Sequence, residues 1–224
     1  MRLKSYMNER SSVYGSGITF MDIDETIFHT TARVIIRKNG EVIARLRNWE
    51  FLRYKQKPGE EVDFSEYTSG KLFRQTAKPV EKTVARIQKM FKNMKAHVGS
   101  RIVIVSARAD SDDKEEFLQT FRDFGIPIDD IYIERVGTSG AVAGIPEKKK
   151  RVMFKYLKTG LYRRARLVDD SEANCRAFLE LEDEIPQETI DMMREKYNIP
   201  EGEKVIDFYA LNVLKNGSLK RIER

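Results

Sequence analysis

Cysteine is nearly absent: Cys175 is the only one in 224 residues, so no intramolecular disulfide can form. Histidine is almost as scarce, with His29 and His97 alone, and this set cannot furnish the nitrogen and sulfur ligands of an ordinary zinc site. Any metal is therefore expected to be held by oxygen. No apolar run approaches the ~20 residues that a membrane span requires. The stretch Met1 to Ser12 carries Arg2, Lys4, Glu9 and Arg10 without an apolar core, so it does not read as a secretory signal. A cytoplasmic location without a membrane partner is expected, and nothing points to a protein partner.

Charged residues make up 34% of the chain and apolar ones 41%, the balance of a globular protein rather than a disordered one. The length fits one domain, residues 1–224, with room for an insertion. Lysine and arginine outnumber acidic residues 41 to 35, a formal charge of +6. That excess favours polyanionic partners but is equally the mark of a basic solvated surface.

Short apolar runs recur: Gly17 to Ile23, Arg101 to Ser106, Asp130 to Glu134, Ala165 to Asp169 and Lys204 to Tyr209. Each has the β-branched, continuous character of a strand buried on both faces. Helical patterns lie between them at 80–94, 112–124, 147–158 and 172–181. Alternation of this kind predicts an α/β fold with a doubly wound, Rossmann-like parallel sheet, whose sites form beyond the carboxyl ends of the strands. Asp22, Asp24, Ser106, Asp169 and Asp170 all fall at such ends. Residues 31–76 interrupt the alternation. Asn39-Gly40 between two apolar runs signals a hairpin, so a small β-containing cap inserted after the first strand is expected, and no secondary structure is assigned to its remainder. A second hairpin signal is Asn216-Gly217.

Four elements carry chemistry. In an extended strand, side chains two apart point the same way, so Asp22 and Asp24 project together. Carboxylates this close repel unless a cation or a shared proton compensates, which favours an oxygen-bound divalent metal; a solvated strand end is the alternative. A calcium loop of the EF-hand type is excluded, because its sixth and twelfth positions would be Ile27 and Arg33 instead of glycine and glutamate. Ser106, followed by Ala107-Arg108, offers a hydroxyl and a guanidinium to a phosphate oxygen, or simply forms a turn. In the run Glu147 to Arg151, Lys149 and Lys150 fall within or beside the apolar arc of a helix while Lys148 faces away, so one lysine is expected to point inward near the helix start. Asp169-Asp170-Ser171, with Asn174 one turn later, supplies either a second acidic strand end or a helix cap.

Taken in order, Asp22-x-Asp24-x-Thr26, Ser106, a lysine before a helix and Asp169-Asp170 resemble the haloacid dehalogenase (HAD) superfamily, over residues 17–178. Within it the chain is similar to the phosphatase domain of phage polynucleotide kinase-phosphatase. The shared features are Ile-Val-Ile-Val-Ser-Ala-Arg and a lysine nineteen residues before Asp169, which selects Lys150 over Lys149. Residues 31–76 depart from that comparison and look more like the small cap of a stand-alone phage-type member.

The resemblance implies a phosphomonoesterase, active in a bacterial or phage-infected cell, that works through an aspartyl-phosphate. Asp22 would be the nucleophile and Asp24 the general acid and base. Magnesium would be held by Asp22, a backbone carbonyl near Asp24, and Asp169 with Asp170 behind it, and phosphate oxygens by Thr26, Ser106, Arg108 and Lys150. The expected partner is a phosphorylated substrate, either nucleic acid ends bearing a 3′-phosphate or nucleotides, or else a small metabolite. Arg45, Arg47, Arg53, Lys55 and Lys57 interleaved with Trp49, Phe51 and Tyr54 favour the nucleic-acid class, since aromatics can stack on bases; a small cap core edged by solvated charges fits the same residues. A non-catalytic nucleic-acid-binding module is the third reading.

Overall fold

The computed structural model describes residues 16–51, 53–94, 99–137 and 144–224. The readings of Met1–Ser12 and His97 lie outside them. In chain order the strands are β1 (Ser16–Met21), β2 (Phe28–His29), β3 (Val34–Lys38), β4 (Glu41–Leu46), β5 (Glu60–Asp63), β6 (Lys78–Pro79), β7 (Arg101–Ser106), β8 (Tyr132–Arg135), β9 (Tyr162–Asp169), β10 (Asp207–Val213) and β11 (Leu219–Ile222). The helices are α1 (Asn48–Phe51), α2 (Ser65–Thr68), α3 (Gly70–Thr76), α4 (Glu81–Met94), α5 (Lys114–Asp123), α6 (Ile145–Leu157), α7 (Glu172–Glu184) and α8 (Gln187–Tyr197).

Six strands form one sheet in the order β11-β10-β9-β1-β7-β8. All adjacent pairs are parallel except β10 with β11, which the Asn216-Gly217 turn joins as the expected antiparallel hairpin. The two-residue period of a strand sorts the core into two layers. Ile18 and Phe20 of β1, Val103 and Val105 of β7, and Ala165 and Leu167 of β9 pack with Met153 and Leu157 of α6 and Phe178 of α7. Met21, Ile102, Ile104 and Val168 face the other way, toward Val84 and Ile87 of α4 and Phe117 and Phe121 of α5. Burial on both faces explains why these strands read as continuous apolar runs rather than alternating ones.

The chain leaves β1 for β7 and β8 on one side and returns to β9 on the other, so the switch of direction falls beside β1. A crevice opens at such a point beyond the carboxyl ends of the strands. The fifth expected strand starts later than its apolar run, at Asp207, and α8 was not anticipated from the sequence. Among the described residues no helix is long and apolar enough to cross a membrane.

The insertion has a stem, a sheet and an anchor. Its stem is β2 paired antiparallel with β6, closed by the Val80 N–H donating to the Ile27 carbonyl at 2.8 Å. Its sheet is three-stranded and antiparallel, β4-β3-β5, with the Asn39-Gly40 hairpin in the predicted place. The unassigned stretch that follows holds α1, β5, α2 and α3. The anchor is Phe73 of α3, buried in the main core and stacked on Phe117 with ring centroids 4.9 Å apart. Burying one such ring contributes about 1.5–3 kcal/mol, so α3 is bound to the domain. A Cβ on Gly70 would lie 2.1 Å from the Asp113 carbonyl oxygen, a clearance only glycine provides. This close approach lets the Gly70 N–H reach the Asp112 carboxylate at 2.8 Å.

Candidate active site

β1 ends in a tight turn. The Ile23 carbonyl accepts from the N–H groups of Thr26, Ile27 and Phe28 at 3.3, 2.8 and 3.0 Å. Closing it puts Glu25 in the left-handed region at φ 58°, at a cost of roughly 1–2 kcal/mol, held by its N–H on the Phe28 carbonyl at 2.8 Å. The turn aims Asp22 and Asp24 in different directions, and each meets its own cation.

Asp22 shares the strand face of Ile18 and Phe20, the side on which α6 packs. Lys149 of α6 is 1% exposed and bridges two carboxylates, with Nζ 2.7 Å from Asp22 Oδ1 and 2.8 Å from Asp169 Oδ2. Asp169 ends β9, next to β1, and is fully buried. Its other oxygen accepts from the Ser171 N–H and the Asn174 side-chain amide, both at 2.9 Å. Its backbone carbonyl accepts from the Asn212 side chain at 3.1 Å. With every polar atom engaged, Asp169 is fixed in orientation. Ser171 is the N-cap of α7, accepting from the Asn174 N–H at 3.3 Å.

Asp170 completes a trio: one carboxylate oxygen each from Asp22, Asp169 and Asp170 lies within 4.8 Å of the others, a cluster that could hold a metal ion. Three hard oxygens with no nitrogen or sulfur suit magnesium or calcium far better than zinc. The electrostatics agree. Burial pushes the Asp22 carboxyl up to about 7, with Lys149 opposing and Asp169 and Asp24 adding to the rise. Asp170, though exposed as a residue, is pushed the same way, first by desolvation of its carboxyl group against the neighbouring acids and then by Asp22 and Asp169. Burial pulls Lys149 down, but Asp169 and Asp22 outweigh it and the ammonium is held above its ordinary value. Counting all groups ionised, four aspartates face Lys149 and Arg108, leaving two uncompensated negative charges. A divalent cation cancels that excess.

The Asp24 carboxylate lies outside this trio; what is expected on the metal at this residue is a nearby backbone carbonyl. Arg108 takes both of its oxygens, Nε to Oδ2 at 2.8 Å and Nη2 to Oδ1 at 2.7 Å, while Thr30 Oγ1 donates to Oδ1 at 3.3 Å. Arg108 is itself 3% exposed, with Nη1 donating to the Tyr67 carbonyl at 2.9 Å and its guanidinium 4.5 Å from the centre of the Phe73 ring. Tyr67 and Phe73 belong to the insertion, so its inner end forms one wall of the site.

The remaining expectations divide. Thr26 is fully buried and joins the two acidic strand ends, its hydroxyl accepting from the Asp170 N–H at 2.9 Å. Ser106 is fully buried, and its Oγ accepts from the Arg108 N–H at 3.1 Å, the local turn role. Lys150 is a correction: its ammonium pairs with Glu180 and Glu184 of α7 at 2.9 and 2.5 Å, away from the carboxylates. The reason is helical phase. Lys149, Met153 and Leu157 recur at intervals of four on the face that packs against the sheet, so Lys149 points inward and Lys150 toward α7. That phase was readable in the sequence, whereas the nineteen-residue spacing was not a substitute for it. Thr30, Tyr67 and Asn212 carried no signal, since two contribute through contacts made by the insertion and one through a distant strand.

Of the aromatic and basic set in the insertion, Phe51 packs edge-on against Phe64, the Tyr54 hydroxyl donates to Glu60, and Arg45 pairs with Glu66. Trp49 remains 54% exposed, with the Arg53 guanidinium 5.8 Å from its ring centre. Comparison of the chain with protein-family models and with curated proteins found no match.

Proposed function

We propose that this chain is a magnesium-dependent phosphomonoesterase of the haloacid dehalogenase type in which Asp22 is the nucleophile. The observation that carries the reading is Lys149 Nζ within 2.8 Å of both Asp22 and Asp169 beside a third carboxylate. This arrangement holds a carboxylate oxygen and a cation together and lacks two positive charges.

Asp22, Asp169 and Asp170 would hold the ion, which when bound screens the nucleophile from the negative phosphate. An Asp22 oxygen attacks phosphorus, forming an acyl-phosphate bond as the ester P–O bond breaks. The departing oxygen takes the electron pair and a proton from the Asp24 carboxyl. A water molecule then attacks phosphorus, gives a proton to Asp24, and returns Asp22 as free carboxylate with release of inorganic phosphate. Lys149 stabilises charge on the transferring oxygens. Arg108 occupies both oxygens of Asp24, so proton transfer through Asp24 requires it to withdraw. An incoming phosphate provides the alternative bidentate partner.

Nucleic acid ends or nucleotides are the substrate class we favour, supported by the exposed Trp49–Arg53 pair and by the basic balance. The test is turnover of an aryl phosphate, a panel of phosphorylated metabolites and a 3′-phosphorylated oligonucleotide, each with magnesium and with excess chelator. Hydrolysis dependent on magnesium is expected, greatest for the oligonucleotide. A preference for metabolites would reassign the substrate, and salt-dependent oligonucleotide binding without any hydrolysis would leave only a binding module.

A further inference from the structure

The far end of the sheet from the carboxylates carries its own unpaired charge. Arg166 sits on β9 with its side chain on the same face as Val168, in a row where Tyr209, Arg166 and Thr19 lie side by side on β10, β9 and β1. Arginine in the middle of a parallel sheet is unusual, and this one is poorly satisfied. Its guanidinium lies 4.6 Å from the Tyr209 ring centre and its Nη1 is 3.3 Å from the Met90 sulfur, a weak acceptor. Its Nε is buried and has no hydrogen-bond partner among the described residues. Leaving such a donor unmade is costly, and more so when the group is charged.

Nor do the described residues supply a counter-charge. The ionisable neighbours acting on Arg166 are Arg164, two residues back on the same strand face, and Arg86 of α4; burial and both of these cations push its pKa down. Among the described residues no carboxylate forms an ion pair with Arg86, Arg164 or Arg166, of which Arg166 is half-buried and the other two exposed, whereas the buried Arg108, Lys149 and Lys150 are all paired. The residues line a cleft open to solvent, of about 280 Å³, formed by Arg164 and Arg166, by Thr19 and Tyr209 of the sheet and by Met90 and Asn93 of α4. That volume lies at the lower end of those that hold small ligands. The strand rise of ~3.3 Å per residue sets it roughly 10 Å from Asp169 along β9.

We propose that this cleft is a binding site for a small phosphate-bearing anion, no larger than a mononucleotide, held by Arg166 and Arg164. The arginine fork is the side chain best matched to a phosphate oxygen pair, and the anion supplies the negative charge that the surrounding residues lack. The assignment is independent of the hydrolytic reading, because it uses none of the residues of that site.

The test is a titration of the full chain with inorganic phosphate in excess chelator, followed by backbone amide chemical shifts. We expect saturable shifts centred on Gly17, Thr19, Arg166 and Tyr209, and at least a tenfold loss of affinity in Arg166→Met. The variant should also melt higher than wild type without phosphate, because an unpaired half-buried charge is gone. Should Arg166→Met fail to fold, Arg164→Gln, at an exposed position, should weaken phosphate by at least fivefold. Shifts confined to Asp22–Thr26 and Asp169, no saturable shift, or wild-type affinity in the variants would overturn the assignment.

Discussion

At the carboxyl ends of β1 and β9, four aspartates gather around Lys149 and Arg108; at the opposite ends of the sheet, Arg164, Arg166 and Arg86 gather with no ion-paired carboxylate among the described residues. Both ends hold charge that the described residues leave unbalanced, buried at the acidic end and half-buried to exposed at the basic one. The difference is one of preparation. At the acidic end each carboxylate is oriented by several donors, Asp169 by Lys149, Ser171 and Asn174, so the missing charge has a defined place and a reactive oxygen beside it. At the basic end only an aromatic ring and a thioether hold the guanidinium, an arrangement suited to binding and not to bond making.

The largest effect should come from the acidic end. Asp22→Asn keeps the shape of the side chain and removes the proposed nucleophile, so turnover of an aryl phosphate should fall by at least ~10³-fold while the circular dichroism spectrum is unchanged. Wild-type-like turnover would remove Asp22 from its role. Next in size is the contrast between adjacent lysines. Lys149→Ala should cost ~10²-fold or more in kcat, as loss of a charge-stabilising donor does, whereas Lys150→Ala should stay within a few-fold. The reverse ranking would mean that the helix phase has been misassigned.

A smaller effect separates the two ends by pH. Asp22 is raised from its ordinary value to about 7, so without metal the folded chain binds more protons than the unfolded chain between pH 4 and 7. Stability should then fall as pH rises through that window, by about 4 kcal/mol from Asp22 alone, and Asp170, raised in the same direction, adds to the fall. Magnesium should restore the melting temperature at pH 8 and change it little at pH 4.5. A metal-free chain equally stable at both pH values would contradict the charge imbalance. The smallest effect should be at the insertion: Trp49→Ala should raise KM for a 3′-phosphorylated oligonucleotide several-fold and leave the aryl phosphate unaffected.

The two ends also differ in what their residues disclose before folding. Asp22, Asp24, Asp169 and Asp170 stand next to apolar runs, and alternation of strand and helix is enough to bring such strand ends together. Arg166 stands inside a run, between Ala165 and Leu167, where one charged letter reads as an interruption rather than a site. Its meaning depends on the face it occupies, which only the register against Thr19 and Tyr209 determines. The same holds for Lys149 and Lys150, which composition treats alike and one helical step of about 100° separates. Asp24 was misread for a related reason: strand geometry stops at Met21, and the turn that follows rotates it from Asp22 toward Arg108. Phe73 and Tyr67 lie in a stretch with no period, so their part in walling the site depends on packing across the insertion.

The central claim is that Asp22 carries the phosphoryl group between substrate and water. Acid quenching of the enzyme during turnover of an aryl phosphate with magnesium, followed by mass spectrometry of the peptide containing Asp22, tests it directly. One phosphoryl group is expected on that peptide, at Asp22, rising and decaying with turnover and missing in Asp22→Asn. Turnover with that peptide unmodified at every quench time, together with full activity in Asp22→Asn, would contradict it.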